Sequence, residues 1–452
     1  MGKINDLRTC LESLNGEEET VTISDEVDAK WELAAIANKL DGGPTVLFRH
    51  VKGYDMPVMT GLCSNKERVA KIFNVKWEDF PLLIIKGIKD PLPTELVKEG
   101  EVKEIKQTSQ IDLLKLFPIP WHGLKDGGHY ITAGVVCAKD PLEGLRNISI
   151  HRLQVTGPDT LAICISPGRH LEEFWRRANE IGIPLEIAIA IGVDPSILFA
   201  AGSSGPSIPL GFDELGLAGS LRGEPVEVVK GETVNVEVPA HTEIVIEGEI
   251  LPKVRGKEGP FMDFLGLYTT ANSPRIKVRA VTHRKDPIFQ TIAGIKDHLM
   301  YGMPMQENSL RSLVRSVVPT LKAVNLTPGS RGLHCILSIR KTVEGQQRDA
   351  MLAALTAIRV LKWVTVVDED IDIFNPEDVD WAIATRFQGH ADLFTIPGAL
   401  GERADPSSKE GICTKVCIDA TAPLQGKEKF EKVEFKEVDL QKYALKKGIQ
   451  KD

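Results

Sequence analysis

Six consecutive residues, Asn147-Ile148-Ser149-Ile150-His151-Arg152, carry an amide, a hydroxyl and a guanidinium in a β-type run. Successive side chains of a strand point to opposite faces, so Asn147, Ser149 and His151 share one face and Arg152 lies on the other. If Asn147 and Arg152 serve one site, either the ligand straddles the strand or a bulge breaks the alternation. The alternative is an edge strand with one hydrated face.

Glu258 and Asp263 bracket a Gly-Pro pair at 259–260. Two carboxylates near an arginine are suited to acid–base chemistry, because the arginine lowers one pKa while burial and charge repulsion raise the other. A proton donor is then available near neutral pH. This interpretation requires that both carboxylates meet Arg152. A solvated turn beside an aspartate explains the same residues without any chemistry.

Two further stretches could approach an anionic ligand. His170 follows a Ser-Pro-Gly turn and stands where a predicted helix begins, so free backbone N–H groups and the helix dipole favour a phosphate there. Apolar residues at helical spacing define one face of this helix: Leu171, Phe174, Trp175, Ala178 and Ile181. Residues 200–206 are a run of small residues, which predicts either a loop whose backbone approaches a ligand or an ordinary connector.

The composition excludes several classes of protein. The chain has 452 residues, 42% hydrophobic and 26% charged, as in globular proteins of two or three domains. A net charge of −8 with interspersed signs argues against a nucleic-acid partner. Seven cysteines without zinc-type spacing predict reduced thiols. Residues 1–14 indicate an amphipathic helix and not a signal peptide, and no apolar run reaches the ~18 residues of a membrane span, so we expect a soluble cytoplasmic protein.

The elements that position these groups alternate along the chain. Residues 1–105 show helix and strand in turn, which predicts an N-terminal α/β domain. Residues 106–304 are rich in predicted strands and indicate a central split β-barrel, which contains most of the candidate site residues. A linker helix is expected at 305–325 and a C-terminal α/β oligomerisation domain at 326–452. Regular patterns predict strands at 185–191, 233–238, 243–250 and 275–282, and a helix at 376–386.

Taken together, the motifs resemble the UbiD family of prenylated-FMN-dependent (de)carboxylases. The similarity rests on the order and spacing of motifs across most of residues 110–425. These motifs are Pro118–Pro120 through Thr132, Asn147–Arg152, Gly168–His170, Gly231–Thr233, Glu258–Asp263 and Lys415–Thr421. The resemblance implies that the central barrel is of the flavin-reductase-like type.

The resemblance also implies how the cofactor is held. Asn147, His170 and Glu232 would bind a divalent metal, typically Mn²⁺ with Mg²⁺ as the alternative, and the family uses K⁺ beside the same phosphate. Two oxygen ligands and one imidazole suit such ions, and the absence of thiolates argues against structural zinc. Further residues would contact prenylated FMN or its phosphate: Ser149, Ile150, Arg152, Arg169, Ser203, Ser204 and Lys415.

In the family a Glu–Arg–Glu network carries the chemistry, and Arg152 and Glu258 match two of its members. The third position is Asp263, whose side chain is one methylene shorter, so either the backbone advances towards the flavin or a water relays the proton. Arg169 is a second departure. It replaces an uncharged neighbour found in cinnamate-type members and adds positive charge near the substrate.

The resemblance implies a reversible, non-oxidative decarboxylase of an aromatic, heteroaromatic or α,β-unsaturated carboxylic acid, acting through a covalent adduct with prenylated FMN. We favour a furan- or pyrrole-type acid, because Arg169, His298 and Arg331 could hold a second carboxylate or a ring heteroatom. One alternative is a decarboxylase of a phosphorylated isoprenoid acid, and another is a non-catalytic accessory protein that binds prenylated flavin. A generic flavin reductase is a fourth hypothesis, but it leaves the metal ligands unexplained.

The expected partners are a small carboxylic acid with CO₂, a flavin prenyltransferase that supplies the cofactor, and further copies of the chain. We predict a homodimer or homohexamer assembled through the last domain and the charged tail from residue 427. No nucleic acid and no membrane partner is expected.

Overall fold

A computed structural model of the protein describes residues 4–14, 19–203, 208–409, 411–433, 436 and 438. The α-helices in these ranges are α1 (Leu7–Ser13), α2 (Glu32–Lys39), α3 (Lys66–Ile72), α4 (Phe80–Lys89), α5 (Leu113–Leu116), α6 (His170–Ile181), α7 (Pro195–Gly202), α8 (Glu214–Arg222), α9 (Ile295–Met300), α10 (Met303–Val317), α11 (Gln346–Ala357) and α12 (Pro376–Arg386). Short 3-10 helices lie at Trp77–Asp79, Glu101–Lys103, Pro328–Ser330 and Lys427–Phe430. None of the described helices is long and apolar enough to cross a membrane.

The strands of the first two thirds are β1 (Thr20–Val27), β2 (Thr45–Val51), β3 (Val58–Thr60), β4 (Glu95–Leu96), β5 (Ile105–Gln107), β6 (Tyr130–Ile131), β7 (Val135–Lys139), β8 (Arg146–Ile150), β9 (Leu153–Gly157), β10 (Thr160–Ile163), β11 (Leu185–Ile191), β12 (Glu227–Lys230), β13 (Glu237–Pro239), β14 (Ile244–Met262), β15 (Tyr268–His283) and β16 (Phe289–Gln290). Those of the last third are β17 (Leu321–Leu326), β18 (His334–Ile339), β19 (Trp363–Asp368), β20 (Leu393–Leu400) and β21 (Ile412–Ala420).

Four sheets organise these strands. A four-stranded sheet has the order β1-β2-β3-β16, and a three-stranded sheet has the order β13-β12-β4. A nine-stranded sheet runs β6-β9-β10-β15-β14-β11-β7-β8, with β5 paired to β15. The last sheet has the order β17-β18-β19-β21-β20. The chain is therefore a multi-domain α/β protein, as its alternating patterns predict.

The large sheet curves until its two ends approach each other. Strands β8 and β9 stand near opposite ends of the sheet, yet only His151 and Arg152 separate them in the chain. Three residue steps span at most ~11 Å, so the end of β8 lies close to the start of β9. No strand pair joins the two ends in the described parts of the chain, and closure into the expected split barrel is not confirmed.

Two long strands carry the predicted carboxylates. The sequence predicts strands at 243–250 and 275–282, but β14 has 19 residues and β15 has 16, and the two pair along most of their length. Residues 258–263 therefore lie mostly within β14 and not in an isolated turn. The register shifts between Glu258 and Phe261, and such a bulge changes the direction in which the following side chains point.

Helix α6 follows the apolar pattern of its sequence with one exception. Leu171, Phe174, Trp175 and Ala178 are buried, as the helical spacing predicts. Ile181 is 50% exposed, because the helix ends there and Gly182 turns the chain in a left-handed conformation with φ of 76°. The helix begins at His170, as expected.

Three sequence predictions need correction. Residues 200–202 form the end of α7 and not a loop, and residues 204–206 lie outside the described ranges. The strand expected at 233–238 is reduced to β13, because the preceding residues fold into a bend around Gly231. The linker helix expected at 305–325 is α10, and residues 321–325 already belong to the last sheet.

The predicted first and second domains share hydrophobic cores. Strand β16 joins the sheet of β1–β3, and strands β4 and β5 pair with strands of the central part. Two core clusters likewise combine residues of both parts, whereas two others belong almost entirely to the chain after residue 300. All seven cysteines are free thiols, and all but Cys164 are buried. The chain before residue 300 and the chain after it therefore have largely separate hydrophobic cores.

Candidate active site

Arg152 and Glu258 form a buried, two-point ion pair. Arg152 lies in the short link between β8 and β9, and Glu258 is on β14 with a fully buried side chain. Nη2 of Arg152 is 2.8 Å from Oε2 of Glu258, and Nε is 3.1 Å from Oε1. Nη1 donates to Oγ1 of Thr269 at 3.1 Å. Paired contacts of this kind determine the plane as well as the position of the guanidinium.

Tyr130 completes the environment of Glu258. Its buried hydroxyl donates to Oε1 of Glu258 at 3.0 Å, and burial raises the pKa of this phenol. Both oxygens of Glu258 therefore accept hydrogen bonds, three in all, from groups that can only donate or that remain protonated. Neither oxygen of Glu258 is left to offer a proton.

Asp263 has the opposite arrangement. Its Oδ1 accepts from the backbone N–H groups of Leu265 at 2.9 Å and Leu267 at 3.3 Å. Its Oδ2 is buried and has no hydrogen-bond partner in the described parts of the chain. Burial raises the pKa of Asp263, and the negative charge of Glu402 contributes in the same direction. Of these two carboxyl groups, Asp263 is therefore the one with an unpartnered oxygen and a raised pKa.

The loop before β6 holds the carboxylate strand in place. Asp126 accepts from the backbone N–H of Met262 at 2.9 Å, and Gln154 bridges the carbonyl of Gly127 and the N–H of Gly259, each at 3.0 Å. A Cβ at Gly127 would lie 2.5 Å from the carbonyl oxygen of Gly259, so only glycine allows this approach. The Asp-Gly-Gly motif thereby sets the position of the strand between Glu258 and Asp263.

The predicted metal ligand His170 meets a carboxylate, but not the expected one. Nδ1 of His170 is 3.6 Å from Oε1 of Glu214, which is buried at the first residue of α8. Oε2 of Glu214 accepts from the backbone N–H of Ile148, beside Asn147 on β8. Asp213 caps α8 by accepting from the N–H of Leu215. These contacts bring β8, α6 and α8 together at one point.

Glu232 lies elsewhere. Its Oε1 pairs with Lys103 and Lys106, each at 2.8 Å, and its backbone N–H donates to Glu247 at 2.7 Å. Glu247 is on β14, three strands from β8, which is ~14 Å across the sheet. In the structure Glu232 pairs with these lysines, and Glu214 is the carboxylate that contacts His170 and the strand of Asn147.

A chain of hydrogen bonds orients the amide of Asn147. Burial lowers the pKa of His151 to about 4, so its ring is neutral near pH 7, and its Nδ1 bonds to the carbonyl of Cys164 at 3.0 Å. Nδ1 must then carry the proton, and Nε2 accepts from Ser149 at 2.9 Å. Ser149 in turn accepts from Nδ2 of Asn147 at 3.1 Å. The amide oxygen of Asn147 therefore remains available, with no partner among the residues described.

Other predicted cofactor contacts are placed as follows. Ile150 packs against a hydrophobic core, and the hydroxyl of Ser203 donates to the carbonyl of Phe199 at the end of α7. Ser204 lies outside the described residues. The buried ammonium of Lys415 donates to two backbone carbonyls after α11, those of Arg359 and Leu361. It makes no contact with His170, beside which the cofactor phosphate was expected.

Three models of one family match the chain in order. The N-terminal, Rift-related and C-terminal domains of 3-octaprenyl-4-hydroxybenzoate carboxy-lyase match residues 11–86, 95–296 and 299–420. The chain belongs to the UbiD family. It is a UbiD-class carboxy-lyase, and the hypotheses of a flavin reductase or a purely accessory protein are set aside.

UbiD relatives match it over nearly their full length. Anhydromevalonate phosphate decarboxylase of Methanothermobacter thermautotrophicus is 41% identical, over 92% of this chain and 97% of that enzyme. Gallate decarboxylase of Lactiplantibacillus plantarum is 34% identical, over 97% and 98%. The UbiD-class enzyme HmfF from Pelotomaculum thermopropionicum, solved in complex with FMN, is 45% identical with a TM-score of 0.92, over 97% and 100%. An evolved dimeric form of HmfF with prFMN is 42% identical with a TM-score of 0.88, over the same shares.

The remaining predicted residues of this UbiD protein lie where its central and C-terminal parts approach each other. The charges of Arg359 and Glu402 act on Arg169, and the ring of His298 lies 5.9 Å from that of Phe264. Arg169 and His298 are exposed at the surface, yet desolvation by the surrounding protein lowers the pKa of each. The nearby charge of Arg152 lowers the pKa of His298 further. Arg331 contacts the carbonyl oxygen of Phe264 at 3.2 Å from the C-terminal side.

Several functional contacts of the UbiD site escaped the sequence interpretation. Tyr130, Gln154, Glu214 and Thr269 were not assigned a role. Tyr130 and the neighbouring glycines lie in the motif from Pro118 to Thr132 on which the family resemblance partly rests, so this motif was a usable signal. Glu214 gave a weaker signal, as a charged residue at the first position of a helix that is mostly apolar.

Proposed function

We propose that this UbiD protein decarboxylates a phosphorylated isoprenoid acid with prenylated FMN as its cofactor. The observation that carries the proposal is the 41% identity, over nearly the whole of both chains, to an anhydromevalonate phosphate decarboxylase. Such a substrate carries a phosphate in addition to a carboxylate. Its pocket therefore requires cationic groups beyond the arginine that binds the carboxylate.

Arg169 and Arg359 support a second anionic subsite. Burial lowers the pKa of Arg169, and the positive charge of Arg359 lowers it further, so the two like charges are close enough to repel each other. In the ranges described, neither guanidinium forms an ion pair with a carboxylate, although the charge of Glu402 offsets part of their repulsion at Arg169. Two cations held together in this way are stabilised by a ligand with two negative charges.

The residues around His170 fit a hard divalent cation. Asn147 offers a free amide oxygen, His170 an imidazole and Glu214 a buried carboxylate, a donor set that suits Mn²⁺ or Mg²⁺. These three would hold the metal and, through it, the cofactor phosphate at the N-terminus of α6. K⁺ is expected from the family resemblance alone. The FMN and prFMN complexes of HmfF support the cofactor, which supplies an electron sink for decarboxylation when it is bound.

The free donors of Arg152 would orient the substrate carboxylate. A guanidinium has five N–H groups, and Glu258 and Thr269 occupy three of them. One N–H remains on each terminal nitrogen, and two such parallel donors match the two oxygens of a carboxylate. Glu258 and Tyr130 hold the guanidinium in the plane that this contact requires.

Asp263 would then protonate the carbon that has lost CO₂. Its Oδ2 is free, its pKa is raised, and its Oδ1 is held by backbone N–H groups, so the proton sits on a positioned oxygen. Loss of neutral CO₂ breaks the C–C bond and leaves its electron pair with the substrate carbon, and the proton given by Asp263 forms the C–H bond with that pair, which leaves Asp263 as the carboxylate. The reverse sequence would carboxylate the product.

A second candidate function is the decarboxylation of an aromatic acid. The 34% identity to a gallate decarboxylase over nearly both chains supports it, as do apo structures of 3,4-dihydroxybenzoic acid decarboxylases with TM-scores of 0.89 and 0.90. The heteroaromatic acids favoured by the sequence belong to this second candidate. Arg152 and Asp263 would have the same roles with either substrate.

Co-expression with a flavin prenyltransferase, followed by a substrate panel, separates the two candidates. The panel contains anhydromevalonate phosphate, its unphosphorylated form, gallate, 3,4-dihydroxybenzoate and furan- and pyrrole-carboxylates, and CO₂ release is measured. We expect release from the phosphorylated acid. Arg169→Met should raise its KM roughly tenfold or more, because one cation of the subsite is lost.

The unphosphorylated acid is the internal control of this experiment. Its KM should be high for the wild type and unaffected by Arg169→Met. Release from gallate or a heteroaromatic acid alone would replace the proposed substrate by the second candidate. An equal effect of Arg169→Met on both forms of the isoprenoid acid would remove Arg169 from the phosphate subsite.

The assembly remains a prediction. The evolved dimeric form of HmfF supports a homo-oligomer of this chain, and analytical ultracentrifugation would determine its mass. The sequence assigned this contact to the last domain and the charged tail from residue 427, and of that tail the structure describes residues 427–433, 436 and 438.

A further inference from the structure

Asp263 belongs to a small loop whose backbone sets the direction of its carboxyl group. The N–H of Asp263 donates to the carbonyl of Leu267, and the N–H of Gly266 donates to the carbonyl of Asp263, each at 2.9 Å. The N–H groups of Leu265 and Leu267 hold Oδ1. The orientation of the free Oδ2 therefore depends on the shape of the loop from 263 to 267.

Arg331 holds this loop from the C-terminal part of the chain. Its Nη1 donates to the carbonyl of Phe264 at 3.2 Å. Its guanidinium lies against Gly266, where a Cβ would be 2.1 Å from Nη1 and 2.9 Å from Cζ. Gly266 has a φ of 73°, so the loop needs glycine both for its turn and for this contact.

The turn that carries Arg331 is itself well anchored. Arg331 follows the 3-10 helix Pro328–Ser330 and has a φ of 56°, a left-handed conformation that is uncommon for arginine. The N–H of Thr327 donates to the carbonyl of His334, which ties the turn to the ends of β17 and β18. Arg331 thus links the C-terminal sheet directly to the loop of Asp263.

We propose that Arg331 is a positioning residue that transmits the placement of the C-terminal sheet to the proton donor Asp263. It holds the loop at Phe264 and Gly266, and the loop holds Oδ2 of Asp263 in its buried, unpartnered position. The sequence assigned Arg331 to the substrate, but its guanidinium is already engaged by the loop. The inference rests on the role proposed above for Asp263, and its test separates the two.

Arg331→Met removes the guanidinium and keeps much of the side-chain volume. We expect kcat to fall roughly 10- to 100-fold, as is typical when a catalytic group is displaced by about 1 Å, with little change in KM, metal content or flavin content. The raised pKa of Asp263 should fall as Oδ2 becomes hydrated, so the alkaline limb of the pH–kcat profile should move to lower pH. Arg331→Lys, which can still donate to Phe264, should recover part of kcat.

A second measurement needs no substrate. Hydrogen–deuterium exchange followed by mass spectrometry should show faster exchange of the Leu265 and Leu267 amides in Arg331→Met. Arg348→Met is the matched control, since Arg348 also donates to a backbone carbonyl, that of Ala391 at 2.9 Å, but within the C-terminal part. This control should leave kcat and the loop amides unchanged.

The possible outcomes distinguish a failure of the positioning role of Arg331 from a failure of the role proposed for Asp263. Wild-type kcat, pH profile and loop exchange in Arg331→Met would overturn the positioning role. A rise in KM alone, with unchanged kcat and exchange, would also overturn it and return Arg331 to the substrate. Full activity of Asp263→Asn would instead refute the proposed role of Asp263, whatever Arg331→Met shows for the loop amides.

Discussion

The hydroxyl of Tyr130 lies 3.0 Å from Oε1 of Glu258, the same oxygen that accepts from Nε of Arg152 at 3.1 Å. Two donors on one oxygen, with a third on the other, make Glu258 an acceptor that holds the arginine. Asp263 has one oxygen without any partner in the described parts of the chain. The two carboxyl groups therefore differ in what they can do, although the sequence presents them as a pair.

This asymmetry predicts that Asp263 donates the proton. Asp263→Asn keeps the shape but removes the acid, so it should abolish exchange of the product C–H with D₂O while flavin and metal remain bound. Only protonated Asp263 can donate, so kcat of the wild type should fall as pH rises through the raised pKa of Asp263. NMR of the product in D₂O and a pH–kcat profile measure these effects.

Glu258→Gln should also impair the enzyme, but by a different route. It weakens the two-point contact with Arg152, so the KM for the carboxylate should rise together with a loss in kcat. The double variant Glu258→Gln/Asp263→Asn should lose little more activity than the more impaired single variant, because Arg152, Glu258 and Asp263 act as one unit. Wild-type exchange in Asp263→Asn, together with its loss in Glu258→Gln, would transfer the donor role to Glu258.

The position of Glu214 predicts which carboxylate the metal needs. Glu214→Gln should lower the manganese content of the purified protein roughly tenfold or more, and the flavin should be lost with it. Glu232→Gln is the matched control, since it removes only ion pairs with Lys103 and Lys106. Inductively coupled plasma mass spectrometry and the flavin absorbance provide the readouts.

Glu232→Gln should keep its metal and lose at most about 1 kcal/mol of stability, as expected for solvent-accessible ion pairs. Loss of metal in this variant, with normal metal in Glu214→Gln, would restore the ligand set that the sequence resemblance implied. Ser149→Ala should give an intermediate loss of metal, because the amide of Asn147 would no longer be oriented.

His241 predicts a pH dependence of stability outside the active site. Its two ring nitrogens lie 2.5 Å from Glu101 and Glu227, and Arg284 donates to its backbone carbonyl. Burial alone lowers the pKa of His241, but the two carboxylates outweigh burial and raise it above 6.5. This stabilisation is complete below pH 6.5 and is lost as pH rises through the raised pKa.

Glu101 sets the lower pH limit of this stabilisation. The pKa of Glu101 lies below 4.5 in the folded protein, so its contribution is present above pH 4.5 and is lost as pH falls through the lowered value. His241→Gln should therefore lower Tm most between about pH 4.5 and 6.5, by ~2–4 °C. Calorimetry at several pH values measures this. His390→Gln, at an exposed position, should show no such dependence.

Repeating patterns in the sequence predicted many elements correctly. Strand β11 and helix α12 occupy the residues expected for them, because each buries a face whose period is visible in the sequence. The expected strand at 233–238 was mostly wrong, since its alternation reflects a bend held by hydrogen bonds to Glu247 and not a pleated strand. The resemblance to the UbiD family was confirmed across the chain.

The choice between Glu232 and Glu214 shows where sequence reasoning stops. Both are glutamates beside a turn or a helix start, and no local pattern distinguishes a residue that meets His170 from one that pairs with lysines. Only the packing of α8 against β8 places Glu214 at the backbone of Ile148 and opposite His170.

The sequence by itself determined the family and the alternation of elements, because residue order and hydrophobic period are local properties. The tertiary structure decided which groups meet. Arg152 and Glu258 are 106 residues apart, and Arg331 and Phe264 are 67 apart. Such contacts depend on strand register, on the bulge after Glu258 and on how the C-terminal sheet is seated. Those are settled by the packing of the whole chain, and so the partner of each charge appears only in the fold.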